Sequence, residues 1–180
     1  NQWDKAVETY KYVLRVNPNL SITVAMALGD GYSERKEIES AIAQYSAILK
    51  NSSRVRMSHA ALEKLYAMYS ERESIEDLEC FCEELSKSSP VSPIYYSILS
   101  LLYKKMNKYD KAIACITSAI RLDPVSYEHR VDKGLLFTIK ENWALAEKEY
   151  RHAMNLSVDN SEIAVKLASV LEHQSKYTEA

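Results

Sequence analysis

A step of 34 residues constrains this chain more than any other feature. Ala112, Ala146 and Ala180 are 34 apart in turn, and so are Pro90 and Pro124. One period, from Tyr95 to Pro124, reads YYSILSLLYKKMNKYDKAIACITSAIRLDP. It contains two amphipathic helices joined by a short polar turn. The first carries Tyr96, Leu99, Ser100 and Tyr103 on one face. The second opens at Tyr109 and places Ala112, Ile113, Ile116, Ala119 and Ile120 at three- and four-residue steps, which is a helix stripe. It stops at Asp123-Pro124, since proline cannot continue a helix.

The unit recurs along the chain. In each second helix a small residue is followed four later by a larger one: Ala6 with Tyr10, Ala41 with Tyr45, Ala112 with Ile116, Ala146 with Tyr150. A large apolar residue stands three before each small one, at Trp3, Ile38, Tyr109, Trp143 and Tyr177. The first helices repeat Leu28-Gly29 with Tyr32, Leu99-Ser100 with Tyr103, and Gly134 with Phe137. This period and these residue types resemble the tetratricopeptide repeat, and the resemblance covers nearly the whole chain. It implies an all-α fold, a right-handed superhelical solenoid of antiparallel helix pairs with about five repeats and half-repeats at both ends. The expected organisation is one array over 1–180. A helix of a truncated repeat spans 1–18, repeats follow at about 22–55, 59–92, 93–126 and 127–160, and a truncated repeat occupies 161–180.

The pattern has a physical basis. Helices approach closely only where side chains are small, so Gly29, Ser100, Gly134 and Ala168 are expected to face Ala41, Ala112, Ala146 and Ala180. The aromatic residues are expected to fill the space to the next unit. Each pair exposes an apolar face that only a neighbour can cover. The unit at 59–90 departs from this rule: Tyr66 and Leu78 stand where the small pair should be, and about three extra residues around Arg56-Met57-Ser58 precede it. Overpacking is not absorbed freely, so a wider or rotated pair is predicted there. The final helix, at about 161–173, is expected to use Leu167, Ala168 and Leu171. Lys133 stands where other units carry Leu, and reads as a side chain that buries its stem and leaves its ammonium in water.

Composition excludes several classes of function. The 180 residues carry a formal charge of −2, too near neutral to imply nucleic acid or an anionic membrane. No apolar run approaches the roughly 20 residues of a membrane span, and no signal-peptide pattern opens the chain. Cys80 and Cys82 point apart on a helix, and Cys115 lies beside an apolar stripe, so the thiols read as buried and reduced rather than metal-binding. The expected location is cytoplasmic or nuclear. His59, His129, His152 and His173 have no ligand spacing and read as helix-surface or turn residues. Three scattered glycines cannot form a phosphate loop, and no nucleophile motif is present. The expectation is therefore no enzyme, no catalytic residue, no metal and no small-molecule cofactor.

What remains is binding. The resemblance implies a protein–protein scaffold in a larger multiprotein assembly, with a partner peptide or helix held in a concave groove lined by the first helix of each pair. The residues placed on that wall are Met26, Asp30, Glu63, Ala67, Ile94, Leu101, Val131, Leu135, Val165 and Ser169. Chaperone-binding members of the family grip acidic C-terminal tails with a clamp of Lys, Asn and Arg. At the corresponding places this chain has Met26, Asp30, Glu63, Lys64, Ile94 and Ile98, so Hsp70/Hsp90 tail binding is disfavoured. Self-association is the alternative, including a homodimer through the truncated ends. RNA binding is less favoured, since it needs a basic face.

Overall fold

The computed structural model describes residues 2–51, 54–157 and 160–178, with the side chains of 176–178 left aside. The chain is an all-α solenoid of helical repeats. In chain order the helices are α1 (Gln2–Val16), α2 (Ser21–Glu34), α3 (Ile38–Asn51), α4 (Val55–Glu71), α5 (Ile75–Ser88), α6 (Pro93–Lys105), α7 (Tyr109–Leu122), α8 (Tyr127–Ile139), α9 (Trp143–Leu156) and α10 (Ser161–Thr178). A 3₁₀ turn, Pro18–Leu20, leads from α1 into α2. The chain forms two compact units, Asn1–Phe81 and Cys82–Ala180, with the division falling inside α5.

One turn recurs in every helix pair and has no glycine. Lys36, Glu73, Asn107 and Glu141 adopt φ of 61°, 54°, 58° and 56°. Each is the left-handed residue that ends a first helix. The amide that follows it donates back to a carbonyl one turn earlier: Glu37 to Tyr32 at 2.9 Å, Ser74 to Tyr69 at 3.0 Å, Lys108 to Tyr103 at 2.8 Å, and Asn142 to Phe137 at 2.9 Å. This is the Schellman arrangement, which satisfies carbonyls that the helix end would leave bare. An aromatic residue supplies the acceptor carbonyl each time.

In the first unit, α2 packs against α3 and α3 against α4, around Val24, Ala41, Tyr45, Ile48, Leu49, Leu62, Leu65 and Leu78. Gly29 is where the α2 and α3 chains come together, but it meets a different residue from the one expected. A Cβ on Gly29 would lie 2.6 Å from Cε1 of Tyr45. The ring therefore occupies the glycine notch of its own pair instead of the space to the next unit. Trp3 of α1 does the same at Gly31, where a Cβ would lie 2.3 Å from the indole. The ring also meets Tyr32 edge-on at 5.3 Å.

Of the bulky pair, Leu78 is fully buried and Tyr66 half-buried. The extra residues are placed differently from the sequence reading. Arg56-Met57-Ser58 do not precede the helix; they are its first turns, and α4 has 17 residues against 14 for α2. A continuous helix keeps their backbone groups bonded, which a looped insertion would not.

In the second unit, α6 packs with α7, α7 with α8, α8 with α9, and α9 with α10. Ser100 and Ala112 adjoin as expected, and the Ser100 hydroxyl donates to the Ala112 carbonyl at 2.9 Å. Gly134 repeats the Gly29 arrangement: its Cβ would stand 2.7 Å from Cε1 of Tyr150. A ring at the second position thus goes with glycine, and Ile116 goes with serine. Ile163, Leu167 and Val170 of α10 are buried against Ala146, Tyr150 and Ala153. Ala168 and Leu171, expected in the packing, are exposed, because they lie off the face that α9 covers. Helix α10 also runs unbroken through Thr178, so Tyr177 continues this helix instead of opening another. Ala180 lies outside the described residues.

Two expectations follow. Glycine has no Cβ penalty at positive φ, whereas other residues lose roughly 1 kcal/mol there. Lys36→Gly and Glu141→Gly should each raise unfolding stability by about 0.5–1 kcal/mol. Asn107→Gly should gain less, because asparagine tolerates the conformation; urea midpoints measure the difference. Gly134→Ser should lose about 1–3 kcal/mol by overpacking on Tyr150. Adding Tyr150→Ile, which recreates the Ser100–Ile116 pair, should recover most of that loss in a double-mutant cycle.

Candidate protein-binding face

In the first unit the expected wall residues lie on α2 and α4. Met26 and Asp30 are half-buried, and Glu63 and Ala67 are exposed. Asp30 is already engaged. Its Oδ1 accepts from the Tyr45 hydroxyl at 2.7 Å, and the Lys64 ammonium lies 3.0 Å away. Burial pushes the Asp30 carboxyl up, but Tyr45 and Lys64 hold it on balance below the usual carboxylate range. Asp30 thus ties α2, α3 and α4 together. Glu63 and Ala67 border a depression of about 400 Å³, whose other lining residues are Ser33, Ile38, Ala60, Lys64, Met68 and Glu71.

In the second unit the expected residues separate into two groups. Ile94 and Leu101 are only 7% and 8% exposed and serve helix packing. Val131 is half-buried against the α9–α10 core, and Leu135 is half-buried. Val165, 69% exposed, and Ser169 face solvent. The helical stripe identifies first-helix positions, but the neighbouring helix decides how many of them it covers.

Polar groups near this face were not evident from the sequence. Lys133 does not leave its ammonium in water. Its Nζ lies 3.1 Å from Oε1 of Glu149, and Arg130 Nη1 donates to Oε2 of the same carboxylate at 2.9 Å. The Glu149 side chain is 8% exposed, so two cations from α8 grip one buried carboxylate from α9. Burial raises the Glu149 carboxyl, and Arg130 and Lys133 bring it below its ordinary value. The Lys133 ammonium also lies 5.8 Å over the Phe137 ring. A charge one residue before Gly134 and another one before Tyr150 were the only sequence signal of this bridge.

Asp132 is the contrasting carboxylate. It is half-buried on α8, and no hydrogen bond or ion pair to it occurs among the described residues. Burial pushes its carboxyl up to about 6; Glu128 adds to the rise, while Lys104 of α6 and Lys166 of α10 oppose it. Lys104, Asp132 and Lys166 therefore mark three successive first helices.

The histidines and cysteines differ from the sequence reading in two places. His129 is not a surface residue: it is 1% exposed in the first turn of α8, with neither ring nitrogen hydrogen-bonded among the described residues. Burial holds its imidazole below the ordinary value. His173 stacks on Trp143 at 4.5 Å. Cys82 is buried and pushed up to about 12, and Cys115 is half-buried at about 11, but Cys80 is exposed. Among the described residues no helix is long and apolar enough to cross a membrane.

The repeat geometry and the comparisons with known proteins agree. Residues 93–126 match the tetratricopeptide repeat family, and the solved structures of similar fold include tetratricopeptide repeat proteins. Residues 93–126 thus match one tetratricopeptide repeat, and the chain shares the helical-repeat fold of such proteins. No curated protein matches it. A thermophilic tetratricopeptide repeat protein of Thermus thermophilus superposes with a TM-score of 0.66 at 17% identity, covering 94% of this chain and 90% of the other. The MamA protein gives 0.58 at 18% identity over 89% of this chain and 86% of that one. The first repeat domain of Spaghetti, solved with the HSP90 peptide SRMEEVD, gives 0.55 at 14% identity over 65% and 93%. At these identities the likeness is one of fold.

Glu149 allows a pH test. Its carboxyl is lowered in the fold, so its contribution is present above the ordinary carboxylate range and lost as pH falls through the folded value. Removing one member of a buried pair leaves charge uncompensated. Glu149→Gln should cost roughly 2–3 kcal/mol at neutral pH, and denaturation near pH 3 should show the gap to the parent largely closed.

Proposed function

We propose that the chain is a protein-interaction scaffold that holds a partner polypeptide along the face of its first helices, as part of a larger assembly. The repeat fold supports the general reading, since tetratricopeptide repeat proteins are generally non-enzymatic scaffolds. Asp132 supports the location. A carboxylate raised by burial lowers fold stability whenever it is ionised. It has no fold-stabilising hydrogen bond to offset this, while Glu149 one helix away has two cations. Groups that the fold pays for but does not use are those a partner can use.

The apolar part of the contact is Leu135 and Val165, with Ser169 beside them; Glu63 and Ala67 serve the first unit. Ile94 and Leu101 act behind this face as packing residues. An acidic C-terminal tail of the kind in the Spaghetti complex is not the proposed ligand. Asp30 is committed to Tyr45 and Lys64, and Ile94 and Ile98, at two of the clamp places, are buried.

Asp132→Asn separates stability from binding. The folded carboxyl lies above its unfolded value, so its favourable contribution exists below about pH 4 and is lost as pH rises toward 6. At pH 7 the variant should therefore be more stable, by roughly 1–2 kcal/mol, and should capture less partner in a pull-down read by mass spectrometry. A stabilised variant with undiminished capture would remove Asp132 and its surroundings from the binding face.

A further inference from the structure

The first turn of α8 contains a polar ring that the packing does not use. His129 is 1% exposed, and neither Nδ1 nor Nε2 has a hydrogen-bond partner among the described residues. One period of 34 further along the chain the corresponding residue is Ile163, also 1% exposed. The repeat thus takes an aliphatic side chain at this point and needs no imidazole. A neutral histidine fills the space at the cost of two unmet ring nitrogens.

The protonated ring is the species that the closed site rejects. An imidazolium has two N–H donors, and neither would find an acceptor here. It would be a buried charge with no carboxylate in contact. It would also lie at the N-terminal end of a helix, where the aligned peptide dipoles oppose a cation. The charged groups acting on the ring are Asp123, which caps α7, and Glu128 on α8 itself. Both favour the cation, but burial outweighs them. The other charges brought to α8 by its neighbours are engaged elsewhere. Glu149 of α9 is held by Arg130 and Lys133, Asp110 of α7 pairs with Lys140, and Lys104 of α6 and Lys166 of α10 act on Asp132. A charged ring can therefore hydrogen-bond Asp123, Glu128 or water only by leaving its site. The first turn is where it can leave, because the His129 amide is held there by the Ser126 hydroxyl at 3.3 Å, and helix ends open more readily than helix interiors.

We infer that His129 is an acid-sensitive latch between α7 and α8. Uptake of one proton by its imidazole expels the ring from the packing, turns it toward Asp123 and Glu128, and opens the first turn of α8 while α9 stays closed. The latch is a property of the fold and does not depend on the scaffold reading. Its sign follows from linkage. The opened turn binds the proton in the ordinary histidine range, near about pH 6.5, and the closed turn only at lower pH. The closed turn is therefore fully stable above that range and loses stability as pH falls through it. One proton taken up on opening raises the opening equilibrium about tenfold per pH unit. Asp132, one turn along α8, has the opposite sign, since its raised carboxyl takes up a proton in the closed fold. Asp132→Asn removes that contribution from the measurement.

The test is hydrogen exchange on the whole 180-residue chain carrying Asp132→Asn, at about pH 7 and about pH 5.5, with rates corrected for the intrinsic effect of pH. The amides of 129–133 should open about tenfold more often at the lower pH, and those of α9 should not. Adding His129→Ile, the residue of the next repeat, should make their opening independent of pH. Imidazole NMR signals give a second reading that needs no substitution at 129: while α8 is closed, the His129 ring should remain neutral at a pH where free histidine is half protonated. A ring that titrates in the ordinary range with α8 still protected would overturn the latch. Acid-induced opening that survives His129→Ile, or that spreads equally over α9, would overturn it too.

Discussion

Everything in this fold depends on how closely two helices can cross. Where a side chain is reduced to hydrogen or a hydroxymethyl group, the backbones can come together. Gly29 and Gly134 each leave a notch that a tyrosine ring from the opposing helix fills, at distances no Cβ could share. Ser100 meets the same need with a hydroxyl that bonds the Ala112 carbonyl and an isoleucine where the ring would be. These are two solutions to one packing problem, and interior packing density leaves little room for a third.

Once the crossings are set, buried rings carry polar tips into the structure, and those tips need partners. The Tyr45 hydroxyl passes Gly29 and finds Asp30, which also takes Lys64. In the second unit the Tyr150 hydroxyl lies 3.4 Å from Thr138 Oγ1, and the adjacent Glu149 carboxylate is held between Arg130 and Lys133. Such groups specify how helices sit more than they add net stability, because desolvation offsets much of the attraction. Asp132 falls outside this economy. It lies under the opposing influence of Lys104 and Lys166, and no hydrogen bond to it occurs among the described residues.

The repeat was legible in the sequence because period, small residues and apolar stripes are local and recur. Tyr109 and Trp143 open helices where the spacing placed them. The turns were legible as polar but not as left-handed, since no glycine marks Lys36, Glu73 or Glu141. The candidate face was legible only as a list of positions. Ile94 and Leu101 have the same helical phase as Ser169 and Val165, yet the first two are buried and the last two exposed.

By itself the sequence determined the helices, their pairing and the places where they cross, because each follows from residues close together in the chain. The tertiary structure alone decided which side chains are covered and which charges are matched. Lys133 is an ion-pair member, His129 is a core residue, and Ala168 is a surface residue for that reason. Burial and electrostatic pairing depend on what the neighbouring helix brings to a given point, and helical periodicity carries no information about that.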